Sequence, residues 1–98
     1  MKMIILFTDN PAANPDIRAR HMPDHLAFLE ANGDAILAAG PLLQADGAVS
    51  GGLWLVEVAD VQDAERLVET DPFFATGLRQ DWEIRRWRQV FADGKRRI

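Results

Sequence analysis

The chain holds two histidines, His21 and His25, and neither cysteine nor tyrosine. Those counts decide which chemistry its side chains can do. Without cysteine there is no thiolate nucleophile, no disulfide and no cysteine-based zinc site. Without tyrosine there is no phenolic acid or base. Proton transfer near neutral pH falls to histidine, whose ordinary pKa lies in that range. A spacing of four puts His21 and His25 on one helical face, where a pair can share a metal. The zinc-protease form of that pair carries a glutamate beside the first histidine, and Met22 stands there instead. No third ligand is evident, so no metal site is expected. His25 alone is the better candidate. It follows Met22 by three and precedes Leu29 by four, at the border of an apolar stripe. A histidine there can be a general acid or base, or a satisfied structural residue, and the residues alone leave both open.

Asp71 has two compatible roles. Aspartate before proline is a normal helix start, with Asp71 as the cap and Pro72 at the first position. Capping uses one carboxylate oxygen and leaves the other to orient an imidazole. Chain spacing does not show that His25 and Asp71 meet. Gly51–Gly52 is no phosphate loop, because it precedes a strand and lacks the lysine, so a turn or close backbone approach is expected. Gly40–Pro41 reads as a break that can line a pocket. Trp54, Trp82 and Trp87 read as core and interface residues. Arg85, Arg86 and Arg88 read as a solvated or dimer-edge face, with one of them available to bind an anion.

The elements that must carry these residues follow from periodicity. Residues 2–8, KMIILFT, are a short apolar run that predicts a strand. DNPAANP at 9–15 is a loop, and Asn14 or Asp16 can cap the helix predicted over 16–32. Pro23 either kinks that helix or starts its main part. Residues 34–43 read as a strand broken at Gly40–Pro41, and residues 50–59, SGGLWLVEVA, as the clearest strand. Asp60 caps a helix over 61–70, and a short helix is predicted over 72–77, ending at Gly77. Residues 82–91 read as a last strand, followed by a tail, ADGKRRI. The order is βαββαβ, the ferredoxin-like α+β motif: a four-stranded antiparallel sheet with two helices on one face.

Both faces of that sheet read as apolar. Ile4 to Phe7 and Leu53 to Val56 run without the alternation of a sheet wet on one side. Helices cover only one face, so a second copy of the chain is expected on the other. Ninety-eight residues make one domain, 1–98. A formal net charge of −4 argues against a nucleic-acid partner, despite the basic cluster Lys95–Arg97. No apolar run reaches membrane-spanning length, and Met1–Phe7 is too short for a signal peptide, so a cytoplasmic location is expected.

Three stretches together resemble the YCII-related family: HLAFLEANGDAILAAGPLL at 25–43, SGGLWLVEV at 50–58 and ETDPFFATGL at 69–78. The resemblance runs from the first strand to WEIRRW. It implies a dimeric α/β-barrel and an active site built on a histidine and an aspartate, here His25 of HLAFL and Asp71 of DPFF. It also implies relatives that eliminate chloride from a chlorinated hydroxyhydroquinone, and muconolactone isomerases in the wider superfamily. The expected function is a cofactor-independent lyase or isomerase acting on a small cyclic or aromatic molecule. His25 would shuttle the proton and Asp71 would fix its ring. His21, Leu29, Gly40, Pro41, Phe73 and Phe74 would line the pocket. The alternatives are a non-catalytic small-molecule-binding or accessory module, and a buried pair that only stabilises the domain.

Overall fold

A computed structural model describes all 98 residues. Strand β1 (Lys2–Asp9) leads to helix α1 (Ile17–Ala31), then to strands β2 (Ile36–Leu43) and β3 (Val49–Glu57). Helix α2 (Val61–Thr70), a 3-10 turn (Phe74–Thr76) and strand β4 (Arg79–Arg86) complete the motif. The sheet order is β2-β3-β1-β4, with every pairing antiparallel. This is the ferredoxin-like α+β arrangement expected from the order of elements.

Alternation along the central strands separates the two faces. Met3, Ile5 and Phe7 of β1 lie opposite Val56, Trp54 and Gly52 of β3, and these residues form one face. All but Gly52 are buried there, with Ala64 and Val68 of α2. Phe28 and Leu29 of α1 pack on the same cluster, so both helices cover one face. Ile5, Val56 and Val68 are wholly buried. Each such aliphatic side chain contributes roughly 1.5–3 kcal/mol. The opposite face carries Ile4, Leu6, Leu53 and Leu55, all half-buried in the single chain. The apolar runs in β1 and β3 therefore do serve two faces.

The helix caps follow the side chains only in part. Asp60 caps α2, accepting from the Asp63 N–H at 2.9 Å. Asp16 makes no such bond ahead of α1. Asn14 accepts from the Asp16 N–H at 2.9 Å instead, and its turn feeds the helix. Helix α1 runs on through Pro23, so the proline neither starts nor splits it. Proline in a helix interior forgoes one intrahelical bond; packing of the helix on the sheet outweighs that loss.

Four expectations need correction. Strand β2 does not break at Gly40–Pro41 but runs through both, paired with Leu53 and Gly52. Gly51 and Gly52, by contrast, make the expected close backbone approach, from inside β3. A Cβ on Gly51 would stand 1.9 Å from the Phe7 carbonyl oxygen, so only glycine allows the two backbones to approach there. The segment expected as a helix over 72–77 is a single 3-10 turn, closed by Gly77 at φ 78°. The last strand begins at Arg79 and ends at Arg86, rather than spanning 82–91. The tail is a hairpin of β5 (Phe91–Ala92) and β6 (Lys95–Arg96). Asp93 and Gly94 at its tip have φ of 54° and 75°, the positive angles of a type I′ turn.

Candidate active site around His25

Two strand irregularities set the site. Were the pairing of β1 with β4 regular, Asp9 would lie opposite Gln80. A bulge after Thr8 places Arg79 opposite Asp9 instead. One residue of slip moves a side chain to the other face. Arg79 therefore points under the helices, where the pattern of Trp82 and Ile84 would have put Gln80. A second bulge, between Ile36 and Ala38, brings Ala39 opposite Trp54 and Pro41 opposite Gly52. Small residues thus stand at the edge of the helical face, and a cavity remains there.

His25, Asp71 and Arg79 meet at the base of that cavity. His25 Nδ1 lies 2.9 Å from Asp71 Oδ1. The same oxygen accepts from the Phe73 N–H at 3.2 Å. One carboxylate oxygen thus serves both the turn and the imidazole, as its two lone pairs allow. Asp71 Oδ2, which the cap leaves over, accepts from Arg79 Nη1 at 2.5 Å. The side chains of Asp71 and Arg79 are 0% and 8% exposed, so this is a buried ion pair. The Arg79 guanidinium lies 3.9 Å from the Phe7 ring centroid, with Trp54 at 5.2 Å and Phe73 at 5.5 Å. Aromatic faces attract a cation and leave its in-plane donors to Asp71. The His25 ring is held in turn by Phe73, 4.6 Å away between centroids.

The charges fit this geometry. Burial pushes the Asp71 carboxyl up, but the hydrogen bond to His25 and the Arg79 charge outweigh it, and its pKa ends below the ordinary value. Burial lowers the Arg79 pKa, opposed by Asp71; a guanidinium remains protonated all the same. An ionised Asp71 needs a donor at Oδ1, so Nδ1 carries the proton and Nε2 of the neutral ring is left as the acceptor. Nε2 makes no bond within the chain and is not among its buried unpartnered atoms, so it opens on the cavity.

A stability consequence follows from Asp71. Its folded pKa is lower than the value of about 3.9 it has when unfolded. Between those values the unfolded chain binds the extra proton, so the stabilisation is complete above pH ~4 and is lost as pH falls through the folded value. Urea midpoints should drop over that acid window, and Asp71→Asn should flatten this part of the profile.

The cavity encloses about 130 Å³. Helix α1 contributes Arg18, Met22, His25, Leu26 and Leu29; β2 contributes Ala39, Gly40 and Pro41. Gly52 and Trp54 of β3, Phe73 of the turn and Arg79 of β4 complete the wall. Of the residues expected to line it, Leu29, Gly40, Pro41 and Phe73 do so. His21 and Phe74 do not. Phe74 is 43% exposed, and its ring packs on Trp82, 5.8 Å away, because the 3-10 turn sends adjacent residues in different directions. His21 lies one turn before His25, but the stripe facing the cavity runs through Arg18, Met22, His25 and Leu29. Arg18 and Arg79 are the residues that periodicity missed. Arg18 was legible as a member of that stripe at spacings of four, three and four. Arg79 depends on a bulge that no local pattern signalled. No helix is long and apolar enough to cross a membrane.

A helix-covered antiparallel sheet holding an imidazole, a carboxylate and a guanidinium under a small apolar cavity defines a ferredoxin-like domain with a titratable pocket. The chain belongs to the YCII-related family, whose domain matches residues 1–88. It is similar to 5-chloro-2-hydroxyhydroquinone dehydrochlorinase, TftG, of Burkholderia phenoliruptrix, solved in complex with 2,5-dihydroxybenzoquinone. That similarity covers 90% of this chain and 94% of the dehydrochlorinase, at 29% identity and a TM-score of 0.79. A protein of Arabidopsis thaliana is more distant, at 11% identity and a TM-score of 0.48 over 94% of this chain and 97% of its own. A dimeric ferredoxin-like protein of unknown function from Thermobifida fusca has 17% identity and a TM-score of 0.43, over 85% and 84% of the two chains. No curated protein matches the chain.

Proposed function

We propose that this protein is a cofactor-independent enzyme that moves a proton on a small, single-ring organic molecule, in an elimination or an isomerisation. One observation carries the proposal: His25 Nε2 has no partner in the chain and opens on the cavity, while Nδ1 is anchored to a buried carboxylate. In this reading His25 removes a proton from a ring hydroxyl or an acidic C–H. The electron pair moves into the ring. It then either expels a leaving group as its anion or takes the proton back at another carbon. Neither outcome changes the oxidation balance, so neither calls for a redox partner. Asp71 stabilises the imidazolium that forms, and Arg79 keeps Asp71 ionised. Met22, Leu29, Trp54 and Phe73 wall the ring and exclude water.

Size supports the single ring. A cavity of about 130 Å³ is close to the roughly 150 Å³ cavity known to take benzene. The similarity to a dehydrochlorinase of a substituted hydroquinone supports the elimination branch. The test is a panel of substituted hydroquinones, halogenated and not, together with cyclic enol lactones, assayed for halide release or isomerisation. Turnover of at least one member is expected. A ligand that binds in the cavity equally well in His25→Ala, with no turnover across the panel, points to a binding module instead.

The working unit in this proposal is a homodimer. Ile4, Leu6, Leu53 and Leu55 form the centre of the sheet face without helices, and Leu42 is exposed beside them. Arg85 and Glu83, paired at 2.8 Å, border it on β4. Patches of this kind are rare on monomers, and a second copy would bury them. Sedimentation should give twice the chain mass, and Leu55→Asp should shift the protein to monomer.

A further inference from the structure

Twelve residues line the cavity, and none is an aspartate or a glutamate. Arg18, His25 and Arg79 are among them. Both carboxylates that balance the arginines lie outside the lining. Asp71 holds Arg79 and His25, and Asp9 pairs with Arg18 at 2.6 Å. The ionisable groups that line the cavity are therefore all basic, and their carboxylate partners are not part of the lining.

The two arginines are not equivalent. Arg79 is nearly wholly buried, stacked on Phe7 and spent on Asp71. Arg18 is 27% exposed and bonds within the chain through Nη2 alone, so Nε and Nη1 are left as donors. It stands on the same α1 stripe as His25, seven residues earlier, about 10 Å along the helix axis. The Arg18 guanidinium and the His25 ring both flank the Phe73 ring, 5.9 Å and 4.6 Å from its centroid.

We propose that the cavity takes its ligand as an anion, with an ionised oxygen on or conjugated to the ring, and that Arg18 is the residue that reads this oxygen. The proposal rests on the cavity being the substrate site. It adds the substrate's charge class and a specificity-determining residue. With the ring of His25 neutral, the two arginines and two aspartates cancel. Proton removal by His25 then creates an imidazolium, and an anionic ligand beside it offsets the new charge. The arginine fork suits a carboxylate in two bonds and a phenolate or enolate in one.

The test compares charged and neutral isosteres at one pH, reading quenching of tryptophan fluorescence; of the three tryptophans, Trp54 alone lines the cavity. The pairs are benzoate with benzamide, for the carboxylate, and 4-nitrophenolate with 4-nitroanisole, for the phenolate. At least one anion should bind about tenfold tighter than its neutral partner, and the pair that discriminates names the source of the charge. Arg18→Met should weaken that anion by about tenfold to a hundredfold, the scale of a charge-assisted bond, and leave the neutral isostere within about twofold. Arg18→Lys should recover part of the loss. Asp9→Asn keeps the arginine and removes its competing carboxylate, so it should tighten the anion by about two- to fivefold. Equal binding of anions and neutral isosteres overturns the charge class and leaves the cavity as a ligand site. Discrimination that survives Arg18→Met overturns the role of Arg18. Failure of every probe to bind at all overturns both the inference and the reading beneath it.

Discussion

His25→Ala is expected to cut turnover by about 10²–10⁴-fold on whichever panel substrate the protein accepts, the range that positioned acid–base groups supply. The variant keeps Asp71, Arg79 and the cavity walls, so ligand binding should change far less than turnover. Its effect on stability should be modest. Asp71 Oδ1 loses the imidazole but keeps the Phe73 N–H, and Oδ2 keeps Arg79. A cost of about 1–3 kcal/mol is appropriate for a hydrogen bond lost from a buried carboxylate. Two measurements separate catalysis from architecture. Added imidazole should restore part of the turnover of His25→Ala, because the deleted ring leaves space beside Asp71. A structural histidine would show no such rescue. Full turnover in His25→Ala would end the proposal that this ring moves the proton.

Arg79→Met is expected to destabilise the fold by about 3–5 kcal/mol, read from urea or thermal unfolding. The substitution fills much of the space between Phe7, Trp54 and Phe73, so the loss is mainly electrostatic. It leaves a carboxylate that is 0% exposed without its guanidinium, with only the His25 imidazole and the Phe73 N–H still beside it. A buried charge without its partner costs far more than the pair gains by forming. The double variant Arg79→Met with Asp71→Asn removes the stranded charge, so it should be more stable than Arg79→Met alone. The acid profile should also change. With Arg79 gone, Asp71 loses one of the influences that lower its pKa, and its stabilisation should fail at higher pH as acid is added. A cost below about 1 kcal/mol for Arg79→Met would mean that the ion pair does not hold Asp71 in place.

Much of this arrangement was legible in local pattern. Residues 2–8 and 50–59 announced strands, and Asp60 followed by a helical stripe announced α2, because strand and helix periods are properties of short windows. The unbroken apolar runs announced a sheet with two apolar faces. His25 beside the buried stripe of α1 and Asp71 before Pro72 were also visible, one as a titratable group and one as a cap. The AspGly pair at 93–94 was a readable turn signal as well, yet the basic residues after it suggested a loose end. The short strands β5 and β6 need only each other, so the turn residues decide that hairpin.

The site itself was not local. His25 and Asp71 lie 46 residues apart, and nothing in their neighbours places one imidazole nitrogen 2.9 Å from one carboxylate oxygen. That distance comes from α1 and the turn after α2 packing on one face of one sheet. Arg79 was further out of reach. Alternation from Ile84 and Trp82 points Gln80 inward, and only the bulge opposite Thr8 and Asp9 replaces it with Arg79. A bulge reflects how two strands must pair to cover a common core, not a propensity of either segment. The residue types and their spacing thus decided which chemistry was available, proton transfer by one histidine. Packing and a single slipped register decided that the histidine would face a cavity with a carboxylate and a guanidinium fixed behind it.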